Sequence, residues 1–311
     1  KRKYQKIKKK YNIKLNMTFE YPEKENINTG WEEKALNNEE VTIGNCHSEE
    51  LTILKKNGTA KQSPIDINTK SVHECNLMCS LSFNYKPSKC RIRKDKQNII
   101  ILDWDHDSSI TFNNKKLPLQ KVYFHTPSHH LIDGNSSVME INLYHSLSDD
   151  FLPEGKGFDT NQENIDGKHA DVKEMVNNDF IKKKGVIVSI LVKEGVSHEG
   201  SKVNKFLSQF ITNTTFRDLS YKVNKDNFTE IQVSDNWNIE DLLPDKKSFF
   251  SYEGSLPMPP CFETFDWIVF EQHVNIMKDY IDILREEGNP NGYRNVHPLN
   301  NRLVFYSHSV E

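Results

Sequence analysis

The stretch KVYFHTPSHHLIDGNSSVMEINLYHS, residues 121–146, decides how this chain is read. KVYFH and MEINLYH both alternate bulky apolar side chains with residues that can donate or accept, the pattern of strands with two different faces. With a side-chain period of two, Tyr123 and His125 share one face of the first strand, and Asn142 and Tyr144 share one face of the second.

The same signature recurs along the chain. LSFNY (81–85), NIIILDW (98–104), SITF (109–112) and GVIVSILV (185–192) are short β-rich runs separated by polar breaks. Regular spacing of this kind predicts one large, mostly antiparallel twisted sheet of about ten strands rather than βαβ units. Two segments have helical periodicity instead. In 202–213, Val203, Phe206, Leu207, Phe210 and Ile211 form one apolar face; in 274–287, Ile276, Met277, Tyr280, Ile281 and Leu284 do the same. Both predict short helices packed outside the sheet, giving an α/β fold class. Residues 1–30 read as a basic and polar tail beginning KRKYQKIKKK, and 31–308 as a single domain. Residues 148–178, long, acidic and without apolar periodicity, read as an insertion within that domain.

Composition narrows the function. With 41 Lys and Arg against 44 Asp and Glu, the formal net charge of −3 gives no general case for nucleic acid. No apolar run approaches the roughly 18 residues that cross a bilayer. No signal peptide is evident, and a first residue of Lys reads as a processed or trimmed form. Five cysteines (Cys46, Cys75, Cys79, Cys90, Cys261) match no zinc-ribbon spacing, and sequons stand at Asn16, Asn57, Asn135, Asn213 and Asn227.

Three further stretches resemble the α-carbonic anhydrases. KQSPIDI (61–67) is similar to that family's QSPI signature. In SYEGSLPMPPCFETFDWIVF (251–270), Tyr252, Gly254-Ser255-Leu256, Pro259-Pro260, Glu263 and Trp267 fall at the family's spacing, and YRNVHPLNNR (293–302) resembles its C-terminal Asn-Arg segment. The 121–145 stretch takes the place of the strand pair that carries the family's catalytic zinc. The resemblance implies Gln62, Ser63, Pro64, His130, Glu140, Trp267, Asn301 and Arg302 as structural residues, with His130 bonded near Asn301 and Glu140 bonded to His125 or a nearby backbone amide. It also implies a disulfide between Cys46 and Cys261, hence an oxidising compartment: the secretory pathway, the cell surface or the extracellular space. One further bond among Cys75, Cys79 and Cys90 is left open.

The resemblance breaks at the reaction centre. A catalytic zinc takes three protein ligands and keeps a fourth position for water, whose pKa it lowers to about 7. The family's three histidines match Tyr123, His125 and Asn142 here. The threonine that orients zinc-bound hydroxide matches Pro257, the next threonine matches Met258, and the glutamate of the Ser-Glu-His triplet matches His129. The expectation is therefore a carbonic anhydrase-like protein with a degenerate zinc site, no metal and no CO2 hydration, acting as a binding or structural module toward an unidentified protein or surface glycan. Two alternatives stay open: a zinc-dependent carbonic anhydrase with an atypical ligand set, and a two-histidine site of His125 and His129.

Overall fold

A computed structural model describes residues 55–76, 79–88, 90–94, 100–104, 108–147, 185–195, 201–212, 216, 229–231, 237–258, 261–288 and 292–308. The expected N-terminal tail, Cys46 and the expected insertion 148–178 lie outside these residues.

In chain order the strands are β1 (Asp66–Ile67), β2 (His73–Glu74), β3 (Leu81–Asn84), β4 (Cys90–Lys94), β5 (Ile100–Trp104), β6 (Ser109–Phe112), β7 (Lys115–His125) and β8 (Leu131–Ile132). There follow β9 (Asn135–Ser136), β10 (Met139–Ser146), β11 (Gly185–Gly195), β12 (Thr229–Ile231), β13 (Phe249–Gly254), β14 (Phe265–Phe270), β15 (Val274–Met277) and β16 (Phe305–Ser307). Helices α1 (Lys202–Ile211) and α2 (Lys278–Glu287) accompany them.

The main sheet runs β12-β4-β5-β7-β10-β11-β14-β13-β16-β2, a path of ten strands. Most joints are antiparallel, but β11 pairs β14 in parallel and β16 pairs β2 in parallel, so the sheet is mixed. Its centre is the β7–β10–β11 trio, buried along almost its whole length. Alternation divides the two faces. Val122, Phe124, Ile141, Leu143, Val188 and Ile190 join one apolar cluster with α1 and Trp237. Tyr123, Tyr144, Ile187 and Leu191 join a second with Leu256, Met258, Phe265 and Trp267.

Helix α1 forms as its periodicity predicts. Ser201 caps it by accepting from the Asn204 N–H, and Val203, Phe206, Leu207, Phe210 and Ile211 are all buried. The helix expected over 274–287 begins later, at Lys278. Val274–Met277 is instead a strand, β15, paired in parallel with the end of β11. Val274 and Ile276 are buried and Asn275 is exposed, an alternation that four residues satisfy as readily as a helical turn. The pairing partner settles it, a tertiary choice that overrides local pattern.

Candidate functional site

The register places together the positions that the resemblance assigns to a reaction centre. Tyr123 lies opposite Asn142, and His125 opposite Glu140, on adjacent antiparallel strands. Asn142 is in turn opposite Ser189 on β11. Cross-strand partners share a face, so Tyr123, His125, Glu140, Asn142 and Ser189 form one polar belt under the second apolar cluster. All five are at most 1% exposed.

His125 and His129 hold a common acceptor. His125 Nδ1 and His129 Nε2 each lie 3.0 Å from the Gly292 carbonyl oxygen, and the two ring centroids are 3.9 Å apart. A carbonyl oxygen only accepts, so each ring directs an N–H at it. Burial holds both rings neutral at pH 7. It pulls His125 down to about 4 against the opposing effects of Glu140 and the Gly292 carbonyl. His129 lies well below the usual histidine range, through burial first and then the neighbouring His125. The remaining nitrogens, His125 Nε2 and His129 Nδ1, therefore carry lone pairs. Neither makes a hydrogen bond among the described residues, and the same holds for both carboxamide atoms of Asn142 and for Ser189 Oγ.

Tyr123 turns its ring nearly parallel to His125, with centroids 6.0 Å apart, and tilts against Tyr144 at 4.9 Å. It packs into the same apolar cluster as Met258. Pro257 is also buried. With no side-chain hydroxyl and no backbone N–H, it offers neither donor that a threonine would supply there.

Behind this belt a polar network ties the sequence motifs together. Glu140 accepts from the His130 backbone N–H at 2.8 Å and from His130 Nδ1 at 2.9 Å. His130 Nε2 meets the Tyr252 hydroxyl at 2.7 Å, and Tyr252 donates to Ser63 Oγ at 3.0 Å. Burial alone raises a carboxyl, but the attraction of His130 and the hydrogen bonds from its ring and backbone outweigh it and hold Glu140 well below its ordinary value. Glu140 thus bonds a nearby backbone amide, that of His130, together with the His130 ring, and not His125. The expected link from His130 to the Asn301 region is replaced by these contacts, because the ring lies between β10 and β13.

Most of the expected structural residues stand at joints between motifs. Ser63 and Ser255 exchange hydrogen bonds, Ser63 N–H to Ser255 Oγ and Ser255 N–H to Ser63 Oγ, both 3.0 Å. Gln62 donates to the Cys261 carbonyl and to Glu263, and Trp267 Nε1 donates to the Ser255 carbonyl. Pro64 accepts from the His297 N–H. Arg302 donates to three carbonyls, of Glu253, Pro298 and Leu299, each at 2.9 Å. Asn301 is exposed; its neighbour Asn300, at φ 55°, is the one that reaches across to the Ala60 carbonyl.

Sequence reasoning overlooked Gly292, and no residue pattern would have marked it, since any residue supplies a carbonyl. It also overlooked His145, whose Nε2 lies 2.9 Å from the buried Tyr85 hydroxyl. Cys75 and Cys79 are bonded to each other, which resolves the open choice among three cysteines. Cys90 is a buried thiol. Cys261 is disulfide-bonded. Among the described residues no cluster of three or more His, Cys, Asp or Glu side chains could hold a metal ion, and no helix is long and apolar enough to cross a membrane.

This fold and these joints define a class. Residues 164–308 match the family model for eukaryotic-type carbonic anhydrase. The chain is 23% identical over 250 residues to dioscorin dioA3 of Dioscorea japonica, spanning 79% of this chain and 75% of that protein. It is 25% identical over 256 residues to alpha carbonic anhydrase 3 of Arabidopsis thaliana, spanning 80% and 75%. A hyperthermostable carbonic anhydrase from a hydrothermal vent chimney superposes with a TM-score of 0.60 at 24% identity, covering 84% of this chain and 94% of the other. Dioscorin in complex with ascorbate superposes with a TM-score of 0.59 at 22% identity, covering 85% and 92%. The chain is thus similar to the eukaryotic-type, or α, carbonic anhydrases over residues 164–308, and it shares their fold.

Proposed function

We propose that this chain does not run zinc-hydroxide chemistry and acts as a binding or structural module outside the cell or in the secretory pathway. The donor set across β7 and β10 carries the reading. Where the family resemblance puts three imidazoles, this chain puts the phenol of Tyr123, the imidazole of His125 and the amide of Asn142. A phenol keeps its proton to a pH of about 10, and an amide oxygen is a neutral, hard donor that suits calcium or magnesium better than zinc. These residues do not fit a water-activating zinc.

The surroundings support the same reading. Pro257 has no hydroxyl to orient a nucleophile, and Met258 fills the adjoining space with apolar volume. At the position of the family's glutamate, His129 is held on the Gly292 carbonyl. Oxidised Cys75–Cys79 and disulfide-bonded Cys261, for which Cys46 is the proposed partner, favour an oxidising compartment. The sequon residues Asn57 and Asn135 are exposed, as glycan attachment requires. The partner in this reading is a protein or a surface glycan.

A second reading, carbonic anhydrase with an atypical ligand set, draws on the buried Asn142 carboxamide and His125 Nε2, which make no hydrogen bond among the described residues. Metal analysis of the purified chain combined with stopped-flow CO2 hydration separates the two. The first reading expects no turnover above the uncatalysed rate; stoichiometric zinc with sulfonamide-sensitive turnover would refute it.

A further inference from the structure

We propose that Ser137 and His273 form a nucleophile–base pair that takes an acyl group from small activated esters, apart from the Tyr123–His125–Asn142 set. The strand register brings the two residues together. β10 and β15 lie on either side of β11, and Met139 and Val274 are both register partners of Val192. Ser137 stands two residues before Met139 and His273 one before Val274. Their side chains meet at 2.9 Å, Ser137 Oγ to His273 Nε2. Both residues are half-buried, so solvent reaches them.

Both partners are held in place. The Ser137 N–H donates to Ser128 Oγ at 2.8 Å, and the Ser137 carbonyl accepts from the Ser128 N–H at 3.0 Å. The turn before His273 is tied on the other side. The Glu271 N–H donates to the Ser248 carbonyl, the Tyr306 hydroxyl donates to Glu271 Oε2, and the Lys246 N–H donates to Gln272 Oε1. His273 also bonds the Glu271 carbonyl. With Nε2 engaged by Ser137, that bond falls to Nδ1, and since a carbonyl only accepts, Nδ1 carries the ring proton. Nε2 keeps the lone pair to which the Ser137 hydroxyl donates. A hydroxyl within reach of a base, itself oriented by a third group, is the arrangement that activates a serine.

Charge suits the same chemistry. Partial burial, and then the Lys193 ammonium, lower His273 against the bond to the Glu271 carbonyl, so the ring is neutral at pH 7 and able to take a proton. Ser137 Oγ attacks the ester carbonyl carbon while its proton passes to His273 Nε2. Lys193, exposed and next to Val192 on β11, supplies a cation for the oxyanion that forms. The C–O bond to the alcohol then breaks, and Nε2 returns the proton to the leaving oxygen. Water, deprotonated by Nε2, attacks the acyl-serine; the acid leaves and Nε2 gives that proton back to Ser137 Oγ. The net change is ester plus water to acid plus alcohol. The inference goes beyond the proposed function and does not depend on it, since no step needs zinc.

The test uses the full chain, prepared without glycosylation so that the adjoining sequon at Asn135 stays bare, with dipicolinate present to hold metal away. A fluorophosphonate probe reacts with activated serines, and peptide mass spectrometry locates it; p-nitrophenyl acetate reports hydrolysis. The expected label is on Ser137. Ser137→Ala should reduce hydrolysis to the uncatalysed rate, and His273→Gln should slow it by about a hundredfold. His73→Gln, a surface control, should leave it unchanged, and circular dichroism confirms that each variant is folded. A parent chain that takes no label on Ser137 overturns the proposal, whether or not the variants fold. So does hydrolysis by folded Ser137→Ala at the parent's rate. CO2 hydration without chelator bears only on the functional reading, so the two can fail separately.

Discussion

Glu140 grips His130 twice, through the ring Nδ1 at 2.9 Å and through the backbone N–H at 2.8 Å, both groups fully buried. Removing one partner of such a pair leaves the other desolvated and unmatched, which costs about 3–5 kcal/mol. Glu140→Ala should lose stability of that order in urea denaturation, with the midpoint lowered and the slope preserved.

The same carboxyl gives the protein an acid limb. Its folded-state value is depressed, so its contribution is complete above the unfolded value of about 4.3 and is lost as pH falls below that. Denaturation midpoints followed from pH 6 to pH 3 should drop less steeply in Glu140→Gln than in the parent. An equal slope in both would show that other carboxyls govern the acid limb.

His145 acts at higher pH. Burial holds it at about 3, well under the 6.5 of an exposed histidine. Between these values the unfolded chain takes up a proton that the folded chain refuses, so stability falls as pH drops from about 6.5 toward 3 and carries no such penalty above 6.5. His145→Gln should be destabilised at pH 7.5, through disturbance of the Tyr85 contact, yet show a shallower decline between pH 6.5 and 4. Urea titrations at several pH values test both features.

Installing the zinc ligands that the family resemblance implies tests the proposed absence of zinc chemistry. Tyr123→His with Asn142→His should bind zinc more tightly than the parent, since the two positions face each other across β7 and β10. CO2 hydration should stay low in that variant and rise when Pro257→Thr is added, because only then is a hydroxyl available to orient the nucleophile. Full turnover without Pro257→Thr would remove that residue from the account.

Gly254 shows how tightly the motifs interlock. A Cβ there would fall 2.8 Å from Trp267 Cδ1 and closer still to Ser63 Oγ. Gly254→Ala should therefore cost about 1–3 kcal/mol by overpacking, read as a lower thermal midpoint.

The sequence by itself determined the sheet and the residue identities on which the proposed loss of zinc chemistry rests. Period-two alternation in 121–125 and 139–145 and the continuous apolar run 185–192 mark three strands that form the buried centre, because a residue with two neighbours on its face must be apolar or paired wherever the chain puts it. Residue identity is also enough to say that Tyr123, Asn142 and Pro257 cannot do what imidazole and threonine do. Tertiary structure decided the partners. Glu140 turns to His130, Asn300 rather than Asn301 reaches Ala60, Val274–Met277 joins β11 as a strand, and two histidines converge on Gly292. Each outcome depends on groups far apart in sequence, several of them backbone carbonyls. A carbonyl is common to every residue, so which one lies within 3 Å of a buried ring is fixed only when the strands have packed.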